Sequence, residues 1–104
     1  YAGDGTYYNP GLGACGRVNG DGDMIVAIAW ELFDSFSIGS DPNQNPVCGR
    51  KVRARRAGQT EGVEVMIVDR CTGCQPQDLD LSPKAFNMLG DEAEGRIGIE
   101  WSWV

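Results

Sequence analysis

Histidine is absent from this 104-residue sequence. That removes Ser-His-Asp and Cys-His catalysis, and every metal site built on imidazole. Basic residues are scarce: nine Lys and Arg stand against fifteen Asp and Glu, a formal charge of −6. Nucleic-acid binding depends on Lys and Arg displacing counterions from phosphate, so nucleic acid is not an expected partner. An anionic membrane is disfavoured for the same reason. No stretch is long or apolar enough to span a bilayer. Asn-x-Ser/Thr sequons are missing, so N-glycosylation is not expected. No signal peptide is present, so for a secreted protein residues 1–104 are expected to be a mature or trimmed form. Repeats, low-complexity segments and linkers are also lacking, and a single domain over 1–104 is expected.

What is present favours β structure. The apolar fraction of 41% allows a small core that benefits from covalent staples. Fifteen glycines, with few long helical patterns, point to a turn-rich β protein. Gly5-Thr-Tyr-Tyr is a short β-prone run ended by Asn9-Pro10. Asn19-Gly-Asp-Gly-Asp is a turn cluster without the spacing or closing Glu of an EF-hand. Met24 to Ala29 is a continuous apolar run, as a buried strand has, and Trp30 to Ser35 reads as one or two helical turns. Residues 37–47 form a long polar loop. Arg50 to Arg55 alternates basic and small apolar residues, and a hairpin-like link leads into the strand at Val63. Ile97, Ile99, Trp101 and Trp103 share one face of a terminal strand, which places both tryptophans inside. Five or six short strands with two short helices close most economically into a small barrel, because closure removes edges.

Val63 to Leu89 holds the candidate chemistry. It reads as a strand that stops at Asp69, a loop tightened by Cys71 and Cys74, and a second carboxylate at Asp80. Ser82-Pro83 then opens a helix. A strand end and a helix approach thus deliver two carboxylates to one neighbourhood. Leu79 and Leu81 flank Asp80 and pin its backbone. Shielding from water, and a second carboxylate at Asp69, are expected to raise the pKa of Asp80. A raised pKa suits a group that gives a proton or a hydrogen bond to a bound ligand. The plainer alternative is that Asp69 ends a strand and Asp80 belongs to a turn.

Four cysteines in a short chain point to two disulfides and an oxidising compartment. For the Cys71-x-x-Cys74 loop, a redox site would ordinarily sit at a helix N-terminus. A zinc site would need a second close pair. A structural disulfide needs neither and is favoured; the residues alone leave three connectivities open.

Six pieces coincide in order and spacing: Gly5-Thr-Tyr-Tyr-Asn, Gly11-Leu-Gly-Ala-Cys-Gly, Cys48-Gly, Val68-Asp-Arg-Cys-Thr-Gly-Cys, Leu79-Asp-Leu-Ser-Pro and Ile97-Gly-Ile-Glu-Trp. Together they resemble the double-psi β-barrel domain of expansins and barwin-like proteins, and most of all the single-domain loosenins. The resemblance covers about Gly5 to Val104. It implies an all-β, six-stranded double-psi barrel with one or two short helices and an open polysaccharide groove. It also implies Cys15–Cys48 and Cys71–Cys74 disulfides. Residue by residue, the groove motif falls on Thr6, Tyr7, Asp69 and Asp80. Tyr8 and Asn9 adjoin it, and strand alternation turns one of the two tyrosines inward. The position of Asp80 resembles the carboxylate on which expansin wall-loosening depends, and the general acid of family 45 glycoside hydrolases. Bacterial expansins carry an aromatic where this chain has Cys71. Expansins also add a cellulose-binding β-sandwich that 1–104 does not contain, so weak glycan binding spread along the groove is expected.

Inverting hydrolysis needs an acid and a base across the scissile bond. The related hydrolases place the base in the segment matching Thr6 to Asn9, which has no carboxylate here. Hydrolysis is therefore disfavoured, while a lytic transglycosylase needs only one carboxylate. The resemblance implies a secreted, extracellular protein that grips cell-wall polysaccharide of plant or fungal origin and loosens it without hydrolysis. A monomer without cofactor or metal is expected. A different function also fits, since secreted bacterial papain inhibitors resemble this barrel. An inhibitor would use the loops at Asn9 to Gly13 or Ser37 to Val47 and would not need Asp80.

Overall fold

A computed structural model describes residues 1–104. Six strands close into one barrel: β1 (Ala2–Tyr7), β2 (Ile25–Ala29), β3 (Lys51–Arg56), β4 (Gly62–Cys71), β5 (Leu79–Leu81) and β6 (Ile97–Trp103). Their order around the barrel is β1-β5-β2-β4-β3-β6, with β6 returning to β1. β1 runs parallel to β5, and β2 parallel to β4; the other pairs are antiparallel. Two short helices, α1 (Trp30–Ser35) and α2 (Pro83–Asn87), complete the double-psi barrel that the resemblance implies.

The hydrophobic pattern explains the closure. Every residue of β2 is buried, as its unbroken apolar run requires. β3 buries Val52 and Ala54 and exposes Lys51, Arg53 and Arg55. β6 buries Ile97, Ile99 and Trp101. Phe33 from α1 and Phe86 from α2 have no exposed surface and pack into the same core. Each contributes about 1.5–3 kcal/mol relative to an exposed ring. At the start of α2 the Ser82 hydroxyl accepts from the Ala85 N–H at 3.3 Å, and Pro83 supplies a preset φ. Two disulfides staple the barrel, Cys15–Cys48 and Cys71–Cys74.

Three boundaries differ from the sequence expectation. β1 starts at Ala2 and ends at Tyr7, so Tyr8 lies beyond the strand. β4 does not stop at Asp69 but runs on to Cys71, because β2 keeps pairing with it as far as Ala29 opposite Cys71. Only Trp101 lies inside the barrel. Trp103, at the end of β6, is partly buried, edge-on to Trp101 and to Phe36, with the Arg50 guanidinium 4.4 Å from its ring centre.

One irregularity decides which way a carboxylate points. Along β2 and β4, Val26 faces Ile67, but the next pair is Ala27 with Asp69, so Val68 is an extra residue. In a regular ladder Ala27 would face Val68, and Asp69 would face Ile28 and share its inward side. The bulge shifts the pattern by one and turns Asp69 outward with Ala27.

Candidate functional site

Register alone aligns the candidate residues. Thr6 of β1 is opposite Asp80 of β5, Asp80 is opposite Ala27 of β2, and Ala27 is opposite Asp69 of β4. Directly opposed residues project from the same face, so the four form one row across four strands. Neighbouring strands are about 4.8 Å apart, which puts the Asp69 and Asp80 backbones about 10 Å apart with only the methyl of Ala27 between them. The row crosses the face on which the resemblance implies the groove, with a carboxylate on each outer side and Ala27 buried, 2% exposed, between them.

Asp80 is held from both sides. Leu79 and Leu81 have no exposed surface and anchor the strand, while Asp80 stays half-buried between them. The Thr6 hydroxyl donates to Asp80 Oδ1 at 2.9 Å. Burial pushes the Asp80 carboxyl above its ordinary value. The Thr6 hydrogen bond opposes that, the Asp69 charge adds to it, and Arg96 opposes it.

Asp69 holds a loop. Its Oδ1 accepts from the backbone N–H of Ala14 and of Arg70, both at 2.8 Å. The Cys15 N–H donates to Val68 O at 3.1 Å, and the disulfide to Cys48 ties the same loop down. Gly13 permits the close approach: a Cβ there would sit 2.4 Å from Val68 O and 3.2 Å from the Asp69 Cβ. Asp69 thus orients this loop, while Thr6 bonds Asp80. Arg70, its neighbour, pairs with Asp34 at 2.9 Å.

The tyrosines divide as alternation requires. Tyr7 packs against Phe86, with ring centres 4.8 Å apart, and its hydroxyl donates to Glu92 O. Tyr8 is the one beside the carboxylates. Burial, then the charges of Asp69 and Asp80, hold its phenol protonated far above the ordinary range. Asn9 is exposed and donates its amide to both carboxylate oxygens of Asp21 rather than to a member of the row.

Sequence reading missed a polar cluster at the β1 end of the row. Arg96 pairs with Asp4 at 2.9 Å and approaches Asp78 at 3.9 Å. The largely buried Asp78 accepts from the Asp4 N–H at 2.9 Å and the Gln75 N–H at 3.1 Å. Arg96 is thus the cation that faces Asp80, and no local motif in the sequence signals it. No group of three or more metal-ligating side chains is assembled anywhere in the chain.

Chemically, the row offers one desolvated carboxyl that can donate a proton or hydrogen bond. It also offers one carboxylate committed to backbone donors, and a phenol. The position that would hold a second acid–base group on β1 is the hydroxyl of Thr6, already donating to Asp80.

A family model described as lytic transglycolase matches residues 33–101. The papain inhibitor of Streptomyces mobaraensis is 34% identical over 105 residues, covering 95% of this chain and 68% of that protein. A solved Streptomyces papain inhibitor superposes with a TM-score of 0.83 at 31% identity, covering 100% of this chain and 93% of the other. An expansin of Clavibacter michiganensis, crystallised as an aspartate-to-asparagine variant with cellohexaose, gives a TM-score of 0.79 at 27% identity. That match covers 99% of this chain and 49% of the expansin. An allergen homologue from Arthroderma benhamiae is 33% identical over 95% of this chain, which spans 37% of that protein's length.

Proposed function

This chain belongs to the lytic transglycolase family of double-psi β-barrels, within the barwin–expansin superfamily, and from that premise we propose that it binds cell-wall polysaccharide in the Thr6–Asp80–Ala27–Asp69 trough and loosens it without hydrolysis. The observation that carries this reading is the row itself. A pyranose chain laid along the row meets the hydrogen-bonding groups of Thr6, Asp80 and Asp69, with the Tyr8 ring beside the two carboxylates. Asp80, with its raised pKa, donates to a glycosidic or hydroxyl oxygen and competes with the polymer's own hydrogen bonds. Asp69 holds the loop that walls the trough. Asp69 accepts from the Ala14 and Arg70 amides and the β1 position is a hydroxyl, so no uncommitted carboxylate is left beside Asp80 to activate water. The cellohexaose-bound expansin supports a β-glucan as one such polymer. The disulfides accord with an extracellular setting.

The test measures mechanical weakening of cellulose and chitin films alongside release of reducing ends. Weakening without sugar release, lost in Asp80→Asn, is the expected result. Reducing-end release that tracks protein concentration and needs Asp80 would replace this reading with a hydrolase. Release of anhydro-sugars from peptidoglycan would replace it with a lytic transglycosylase.

A second reading, inhibition of a papain-like protease, rests on a different surface. Leu12 and Val18 form an isolated bridge at the tip of the first loop and are 74% and 78% exposed; Ile38 on the next long loop is 73% exposed. Exposed apolar tips suit insertion into a protein cleft. Papain inhibition retained in Asp80→Asn and lost in Leu12→Asp would establish it.

A further inference from the structure

Opposite the carboxylate row the barrel carries the reverse charge. β3 and β5 are three strands apart in either direction around the closed order, so their outer faces point away from each other. Five of the nine basic residues fall between positions 50 and 56: Arg50, Lys51, Arg53, Arg55 and Arg56. Lys51, Arg53 and Arg55 alternate with buried Val52 and Ala54, so they share the outer face. Arg55 makes only a loose ion pair with Glu100, at 3.5 Å. Arg53 makes none within 4.0 Å, although Glu64 faces it across β4 and Ser102 across β6. A cavity of about 310 Å³ opens beside these groups, more than twice the size of the other surface cavity at about 140 Å³. Arg53, Arg55, Glu100 and Ser102 line it, and one wall is the Tyr1 ring stacked on Trp101, with centres 4.4 Å apart.

We propose that this cavity is a second glycan site, for a uronic-acid residue of an acidic polysaccharide. A guanidinium fork matches a carboxylate with two parallel hydrogen bonds; Arg53 offers one free of any ion pair, and Arg55 is held only loosely by Glu100 at 3.5 Å. Glu100 and Ser102 supply partners for sugar hydroxyls. Tyr1 is 55% exposed with one ring face covered by Trp101, which leaves the other for the C–H face of a pyranose. The mixed lining selects the ligand: Glu100 repels a dense polyanion, such as a phosphate chain or a run of acidic side chains. It tolerates a polymer with one carboxylate per ring and hydroxyls between. The volume lies at the small end of the range of about 300–1,000 Å³ for small-ligand sites, which suits one or two sugar rings. The site is independent of the trough, so it stands whether or not the trough binds glycan.

The experiment maps backbone amide shifts on the intact protein with a short oligogalacturonate, its fully methyl-esterified counterpart, and a glutamate peptide of equal charge. The free acid is expected to bind, to shift amides on β3 and β6 and not on β5, and to weaken with salt. Arg53→Gln with Arg55→Gln should lower its affinity at least about tenfold while leaving film weakening unchanged. Equal binding of the ester, shifts confined to β5, tighter binding of the peptide, or no binding of the acid would each overturn the assignment.

Discussion

Asp69 and Asp80 share one partner: each is paired across the sheet with Ala27, Asp69 from β4 and Asp80 from β5. Their spacing is therefore set by strand packing and not by the loop between them in sequence. Each carboxylate stands on a buried strand, with a neighbour that fixes its direction: the Thr6 hydroxyl for Asp80, the Ala14 and Arg70 amides for Asp69. Sites held on strands in this way keep their geometry better than sites on free loops.

Asp80→Asn should separate function from stability. Film weakening is expected to fall at least about tenfold, the effect of losing one hydrogen bond to the glycan. Stability should move the other way. Because folding raises the Asp80 pKa, the carboxyl stabilises the fold while protonated, and that contribution is lost as pH rises through its folded pKa. The variant should therefore gain on the wild type in Tm between about pH 3 and about pH 7. Melting curves at the two pH values check this; a variant that loses ground towards neutral pH would contradict it.

The adjacent tyrosines should fail in different ways. Tyr7→Ala removes a ring packed on Phe86 and is expected to cost about 2–4 kcal/mol of stability, as other core truncations do. Tyr8→Ala removes a ring beside the two carboxylates and should weaken glycan binding with a smaller change in Tm. Denaturant unfolding and binding isotherms on the same preparations distinguish them.

Acid should release the Arg56–Glu94 pair late, after ordinary carboxylates have been protonated. Both guanidinium nitrogens donate to Glu94 at 2.8 Å, and the Asp91 N–H adds a third bond, which holds the Glu94 carboxyl down at about 2. A depressed folded pKa means stability that is present above the unfolded value and lost as pH falls through the folded one. The Tm difference between wild type and Glu94→Gln should be constant at neutral pH and shrink between the ordinary carboxylate range and about 2. A difference that persists undiminished at the acid end would point to packing instead.

The disulfides should differ in weight. Cys15–Cys48 closes a sequence separation of 33 and Cys71–Cys74 one of only 3. Loop entropy alone predicts losses of about 4 and about 2 kcal/mol on replacement by serine pairs. Removing the first also frees the loop that donates to Asp69, so it should lower film weakening as well as Tm. Removing the second should leave the Thr6–Asp80 pair in place.

Much of the barrel was legible because burial writes a period into the sequence. The unbroken run at Ile25 to Ala29 and the alternations of Lys51 to Arg56 and Ile97 to Trp103 each gave a strand. The alternation Leu79-Asp80-Leu81 also foretold the pinned carboxylate. The start of β1 was hidden because Ala2-Gly3-Asp4-Gly5 has poor strand propensity. Gly3 is there because a Cβ would sit 2.4 Å from Gln77 O, a constraint visible only in three dimensions. Trp103 kept the alternating phase but lies at the strand end, where the barrel no longer covers it. Asn9 continued the groove motif in sequence, yet its amide is committed to Asp21. Arg96 faces Asp80 only through folding, and no spacing rule connects the two.

The extra residue at Val68 makes the outward carboxylate a matter of parity. Substitution at position 69 changes which group is presented, but the residue count upstream decides whether anything is presented at all. Pairing without the bulge at the present residue count would preserve the Asp-Arg-Cys-Thr-Gly-Cys string letter for letter and bury its acid in the core. Gain of one residue in a regular sister strand would do the reverse and bring a core position to the surface. The motif is thus a reliable sign of the trough only when its distance from the apolar face of β4 is preserved, and insertions and deletions offer this barrel a route to new surface chemistry that point substitutions do not.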